Sequence, residues 1–145
     1  MEIKRILPDE HIFSQRLTDI ANPPKSLCYM GKLPEDKAPV VSIVGSRKPS
    51  AYGKEVTERL ASALAKAGCV IVSGLALGVD GIAQKAALEA GGTVVAVVPN
   101  ELPDISPRTN YKLAMDIIKK GGAVISEWMK GDNKIVNRWS FLERN

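Results

Sequence analysis

From Val40 onward, continuous apolar runs of four to six residues alternate with amphipathic stretches of helical length, and only short connections separate them. Runs of this kind suit strands buried on both faces, which occur where crossover helices cover a parallel sheet. Residues 40–44, 69–73, 93–98 and 123–126 read as such strands, and residues 53–67, 79–90 and 109–120 as the helices between them. Short connections in this alternation impose right-handed βαβ crossovers. The expected fold class is α/β: a Rossmann-like, doubly wound, mostly parallel sheet with helices on both faces.

The helix periodicity supports this. Val56, Leu60, Ala63, Leu64 and Ala67 recur at the spacing of one inward face, and Gly68 stands where a helix ends. Gly91-Gly92 closes the second helix, and Leu113, Ala114, Ile117 and Ile118 form the inward stripe of the third.

Residues 1–38 break the pattern. Asp9 is placed to cap a helix running to about Ala21, which Asn22-Pro23-Pro24 would end. A short strand over residues 27–30 and a polar loop over 31–39 follow. This segment is expected to pack as an extension on a core domain at 39–145.

Of the 145 residues, 45% are hydrophobic and 25% charged, which excludes disorder, and 5% are aromatic, so the core must rest on Val, Ile, Leu and Ala. No signal-peptide pattern opens the chain and no apolar run reaches bilayer length, so a cytoplasmic protein is expected. Cys28 and Cys69 read as small buried hydrophobes, and with His11 as the one histidine no metal site is expected. The formal net charge of +4 is a mild basic excess.

Ligands of open parallel sheets bind outside the carboxyl ends of the strands. There the chain places Gly45-Ser46-Arg47-Lys48, the loop Ser73-Gly74-Leu75-Ala76-Leu77-Gly78 with Asp80 behind it, and Ser126-Glu127. The first turn is neither GxGxxG nor GxxxxGK[ST], so neither a dinucleotide nor a P-loop nucleotide cofactor is expected. Gly45 would let a backbone approach, Ser46 would offer a hydroxyl, and Arg47 a fork matched to phosphate. A solvated basic loop is the alternative reading of the same residues. Asp80 reads as a helix-capping or first-turn acid that could also orient an arginine. Arg108 and Asn110 stand at the entrance of the next helix. Near the C-terminus Trp128, Trp139 and Phe141 interleave with Lys130, Lys134, Arg138 and Arg144, as in a groove that stacks bases, although for any one aromatic core packing is the expected fate. No serine has a histidine close in sequence, so no catalytic residue is assigned and the chain is not expected to be an enzyme.

Three segments taken together, VGSRKPSAYG, VSGLALGVDGIAQKAALEAGG, and SPRTN with SE and FLERN beyond it, resemble the DprA/Smf DNA-processing family over residues 22–145. The resemblance implies a Rossmann-like fold, a homodimer, single-stranded DNA held in a basic pocket, a place in DNA uptake, natural transformation and recombination, and loading of the RecA recombinase. It assigns Gly45, Ser46 and Arg47, with Lys48 beside them, to a phosphate-binding turn. Ser73, Gly74, Gly78 and Asp80 would line the adjacent pocket, and Arg108 and Asn110 its far wall. Arg144 and Asn145 match the start of a closing motif, so the resemblance implies a core domain truncated or naturally short at its C-terminal end. Ser106-Pro107 and Phe141-Leu142 depart from the Tyr-Pro and Phe-Pro of the family. Two other classes suit the same edge: a mononucleotide sensor, and an enzyme acting on nucleoside monophosphates, whose PGGxGTxxE string this chain lacks.

Overall fold

A computed structural model describes residues 1–35 and 37–145; Asp36, in the expected polar loop, lies outside the described residues. Six strands, β1 (Lys4–Ile6), β2 (Leu27–Gly31), β3 (Val40–Ser42), β4 (Val70–Ser73), β5 (Val94–Val97) and β6 (Ala123–Ser126), form one sheet. Four helices, α1 (Ala51–Lys66), α2 (Val79–Glu89), α3 (Tyr111–Lys119) and α4 (Arg138–Arg144), accompany it. The strand order is β1-β2-β6-β5-β4-β3. β3 to β6 are mutually parallel, while β2 runs antiparallel to β6 and β1 antiparallel to β2.

The α/β, Rossmann-like, mostly parallel reading holds, but the sheet is not doubly wound with crossover helices on both faces, and the order of the strands explains how the two faces are covered. From β3 to β6 each strand lies beside its predecessor, so right-handed crossovers keep stepping in one direction and deliver α1, α2 and α3 to the same face. There Ile71, Val94, Ala96 and Val124 pack against Ala61, Ala65, Ala83, Ala87, Ala114 and Ile117. The opposite face, carrying Val70, Val95, Ala123 and Ile125, is covered by Phe13, Leu17 and Leu33 of the N-terminal segment rather than by crossover helices. That segment therefore completes the core and also adds β1 and β2 to the sheet.

Several local expectations are corrected. The helix expected over residues 9–21 is instead two 3₁₀ helices, Pro8–Glu10 and Ser14–Asp19, and Asp9 caps neither. The Ser14 hydroxyl donates to the Pro8 and His11 carbonyls and Thr18 donates to Gln15, local side-chain bonds that compete with an α-helical ladder. β3 is an edge strand, so the run 40–44 is only partly covered and Val44 is 67% exposed. α1 buries Thr57, Ala61 and Ala65; Leu60 faces solvent, and Ala63 and Ala67 are exposed. The inward face takes small residues because α1 approaches Gly92 so closely that a side chain there would collide with Ala65. Cys28 is fully buried, whereas Cys69 is half-buried.

Candidate nucleic-acid interface

At the carboxyl edge of the sheet, two neighbouring segments have opposite characters. Gly45, Ser46, Arg47 and Lys48 are all exposed. The Ser46 hydroxyl accepts from the Lys48 amide, Ser50 caps α1 by accepting from the Gly53 amide, and the turn is thereby fixed at its far end. Its near end leans on α2: Val79 donates its amide to the Ser46 carbonyl, and Val79 packs where a side chain on residue 45 would stand. Gly78, at φ +82°, lies directly against the Ser46 and Arg47 carbonyls, so a Cβ there meets both an unfavourable backbone conformation and main-chain atoms.

The second segment, residues 73–76, is buried except for half-covered Ala76, and side chains hold nearly all of its main chain. Asp80, in the first turn of α2, accepts from the Gly74 amide at 3.0 Å. It does not cap its own helix, which corrects the capping expectation while keeping the first-turn one. Gln84 accepts from the Leu75 amide at 3.1 Å and donates to the Ser73 and Val95 carbonyls. Asn110 donates to the Leu75 carbonyl at 2.7 Å, and Arg144 donates to the carbonyls of Gly74 at 2.7 Å and Val97 at 3.0 Å. Ser73 donates its hydroxyl to the Ile43 carbonyl, tying this loop to β3 just ahead of the exposed turn. Leu75, fully buried, takes φ +59°, a left-handed conformation that this surrounding set of bonds sustains.

The residues expected to line one pocket thus divide. Asp80, Asn110 and Arg144 spend polar atoms on the loop itself, Ser73 spends its hydroxyl on the Ile43 carbonyl, and Gly74 is the point over which the Arg144 guanidinium and Asp80 carboxylate converge, leaving no room for a Cβ. Arg108 is exposed in the 3₁₀ helix Arg108–Asn110 and Asn145 is exposed at the chain's end, where it accepts from Arg144. Gln84 was not singled out in the sequence, although its signal was there: it follows Asp80 by four residues, on the same face of an alanine-rich helix.

α4, also not expected from the sequence, begins at Asn137, whose side chain accepts from the Trp139 and Ser140 amides. It brings Phe141 between two cations: the Arg47 guanidinium lies 5.5 Å and the Arg144 guanidinium 5.7 Å from the ring centroid. Burial pulls the Arg144 guanidinium below its ordinary value; Asp80 opposes this, and the positive charge of Arg47 adds to it. Arg47 has no ion pair among the described residues. Trp128 is half-buried with the Lys134 ammonium 4.8 Å over its ring, and Trp139 is 68% exposed. Glu127 borders the same edge; burial and neighbouring Glu143 raise its carboxyl above the ordinary range against the pull of Lys134. A cleft of about 390 Å³ leads away between α2 and α3, past Gly78, Lys85, Asn110 and Lys112. Among the described residues no His, Cys, Asp or Glu side chains gather as a metal-holding group, and no helix is long and apolar enough to cross a membrane.

Comparison with known proteins bears on this edge. The model of the family described as DNA recombination-mediator protein A matches residues 4–145. Protein Smf of Escherichia coli is 37% identical over 120 residues, covering 83% of this chain and 32% of that protein. DNA processing protein DprA of Bacillus subtilis is 36% identical over 130 residues, 89% of this chain and 43% of that one. The solved structure of DNA processing protein A from Helicobacter pylori, which concerns that protein's single-stranded DNA binding mode, superposes with a TM-score of 0.80 at 35% identity, over 99% of this chain and 62% of the other. The chain spans about a third to two fifths of the length of these curated relatives.

Proposed function

Because the chain belongs to the DNA recombination-mediator protein A family, we propose that its carboxyl edge grips the sugar–phosphate backbone of single-stranded DNA, without catalysing a reaction on it. The observation that carries this reading is the pair of guanidiniums, Arg47 and Arg144, converging on one phenylalanine ring, with Arg47 exposed and free of any ion pair among the described residues. Two like charges held together attract an anion, and planar forks suit phosphate oxygens. The Helicobacter pylori relative supports the choice of ligand, since its structure concerns single-stranded DNA.

Mechanistically, Gly45 and Ser46 keep the backbone thin at the turn, Arg47 and Lys48 provide the exposed charge, and Arg144 the half-buried, hydrogen-bonded charge. Gly78 and Asp80 are supports, and Arg108 and Lys112 extend the positive surface toward the cleft beside α3. Exposed Trp139 offers a face on which a base could stack. This reading places the protein in DNA uptake, transformation and recombination. Homodimerisation and RecA loading enter it through the family resemblance, and light scattering at increasing concentration tests the first.

The central experiment is titration of labelled oligo-dT into the wild type and Arg47→Ala at several salt concentrations. Wild-type affinity should fall with salt at a log–log slope of about −0.7 per phosphate contacted. Arg47→Ala should bind about tenfold more weakly with a slope shallower by about one contact. Unchanged binding by Arg47→Ala overturns the assignment, and equal competition by mononucleotides and by oligo-dT would favour a nucleotide sensor instead.

A further inference from the structure

Gln84 lies in the middle of α2, completely buried, among Ala83, Ala86 and Ala87. A primary amide withdrawn from water into an alanine-rich layer is costly unless its bonds are made. Here the oxygen accepts from the Leu75 amide at 3.1 Å, and the nitrogen donates to the Ser73 carbonyl at 3.1 Å and the Val95 carbonyl at 3.3 Å. A side chain of packing value alone would need none of these.

We infer that Gln84 is a positioning residue for the exposed turn at 45–48, acting through Ser73, an inference that rests on the single-stranded DNA reading above. The bonds form a continuous route. Gln84 fixes the Ser73 carbonyl, the Ser73 hydroxyl donates to the Ile43 carbonyl, and two residues beyond Ile43 the chain enters Gly45, Ser46 and Arg47. The bond to Leu75 holds that residue at φ +59°, which lets the chain turn back to place Gly78 and Val79 under the Ser46 carbonyl. One amide thus bonds to both supports of the turn that carries Arg47, alongside the bonds from Asp80, Asn110 and Arg144 to the same loop. The charged groups bordering the loop are Asp80, one helical turn before position 84, and Arg144, which donates to the Gly74 carbonyl.

Two variants separate positioning from packing. Gln84→Met keeps the volume and removes every hydrogen bond; folded Gln84→Met should bind oligo-dT about tenfold more weakly than wild type. Gln84→Glu behaves differently with pH. While protonated, its carboxyl can accept from Leu75 and donate to Ser73; once ionised, it faces two carbonyls with nothing to donate, and burial moves that ionisation upward. The ratio of Gln84→Glu to wild-type affinity should therefore fall about tenfold between about pH 5 and about pH 8. Backbone amide resonances of Ser46 and Arg47 should shift in Gln84→Met without DNA present.

Binding by folded Gln84→Met within about twofold of wild type overturns the inference, as does a Gln84→Glu ratio that is flat with pH. If Gln84→Met fails to unfold cooperatively, the pH ratio of Gln84→Glu decides alone. If wild type does not bind oligo-dT, the functional reading falls, and positioning is then judged by the amide resonances of residues 45–47: displaced in Gln84→Met they support it, unmoved they refute it.

Discussion

The turn at residues 45–48 and the loop at 73–76 both follow parallel strands, both are rich in small residues, and both reach the same sheet edge. Sequence composition would rank them as equal candidates for contact with a ligand. The structure separates them by where their polar groups point. In the loop, amides and carbonyls are matched by Asp80, Gln84, Asn110 and Arg144, and little is left to offer a ligand. In the turn, the side chains project into solvent and the bonds lie at its ends. A loop at a strand's carboxyl end can therefore be a scaffold or a contact surface, and the difference lies in which neighbours satisfy its backbone.

Stability measurements can break this comparison. The largest effect is expected for Gly78→Val, which forces a β-branched side chain to φ +82° and into the Ser46 and Arg47 carbonyls. A loss of about 3 kcal/mol or more in urea unfolding is expected, because strain and overpacking act together. Next comes Asp80→Ala, which strands the buried Gly74 amide and removes the charge that favours half-buried Arg144. About 2 kcal/mol is expected from the lost acceptor and the uncompensated guanidinium. Arg47→Ala, in the exposed turn, should change stability by less than about 0.5 kcal/mol while weakening oligo-dT binding. Equal stability losses for Asp80→Ala and Arg47→Ala would show that the two segments share one role, and the division argued here would fail.

The sequence pattern revealed the parallel core because period and length are local properties: the four core strands and three crossover helices all lie within a few residues of their expected places. It could not reveal which face of the sheet Phe13 and Leu17 would cover, because that depends on strand order, a long-range property. The inward face of α1 was misassigned for a related reason. Leu60 has the larger hydrophobic side chain, but the buried face of the helix carries Ala61 and Ala65, and at Ala65 the close approach to Gly92 leaves room for nothing larger. At the site, the positions of Arg47, Gly74, Asp80 and Arg144 were legible, yet their division into contact and support was not. Hydrogen bonds such as that from Arg144 to Gly74 join residues 70 apart in sequence, and no short pattern encodes them.

Glu127 allows the smallest and most specific test, since it sits on the acidic border of the same edge. Its carboxyl is raised first by burial and then by Glu143, with Lys134 opposing. A carboxyl raised on folding binds its proton more tightly in the native state than in the unfolded chain. Between the ordinary value of about 4.3 and the raised native value, the native state holds the extra proton, so stability falls as pH rises through that window. Above the window the penalty is complete, and below it the penalty is absent. Glu127→Gln imitates the protonated form and should therefore melt slightly higher than wild type at neutral pH, by about 1 °C given the solvent screening of a half-exposed group. The difference should fade as pH falls below about 4 and vanish by about pH 3, where the wild-type carboxyl is protonated in both states. If the melting difference persists undiminished at acid pH, packing rather than charge sets the effect, and the acidic border has no electrostatic part in shaping the edge.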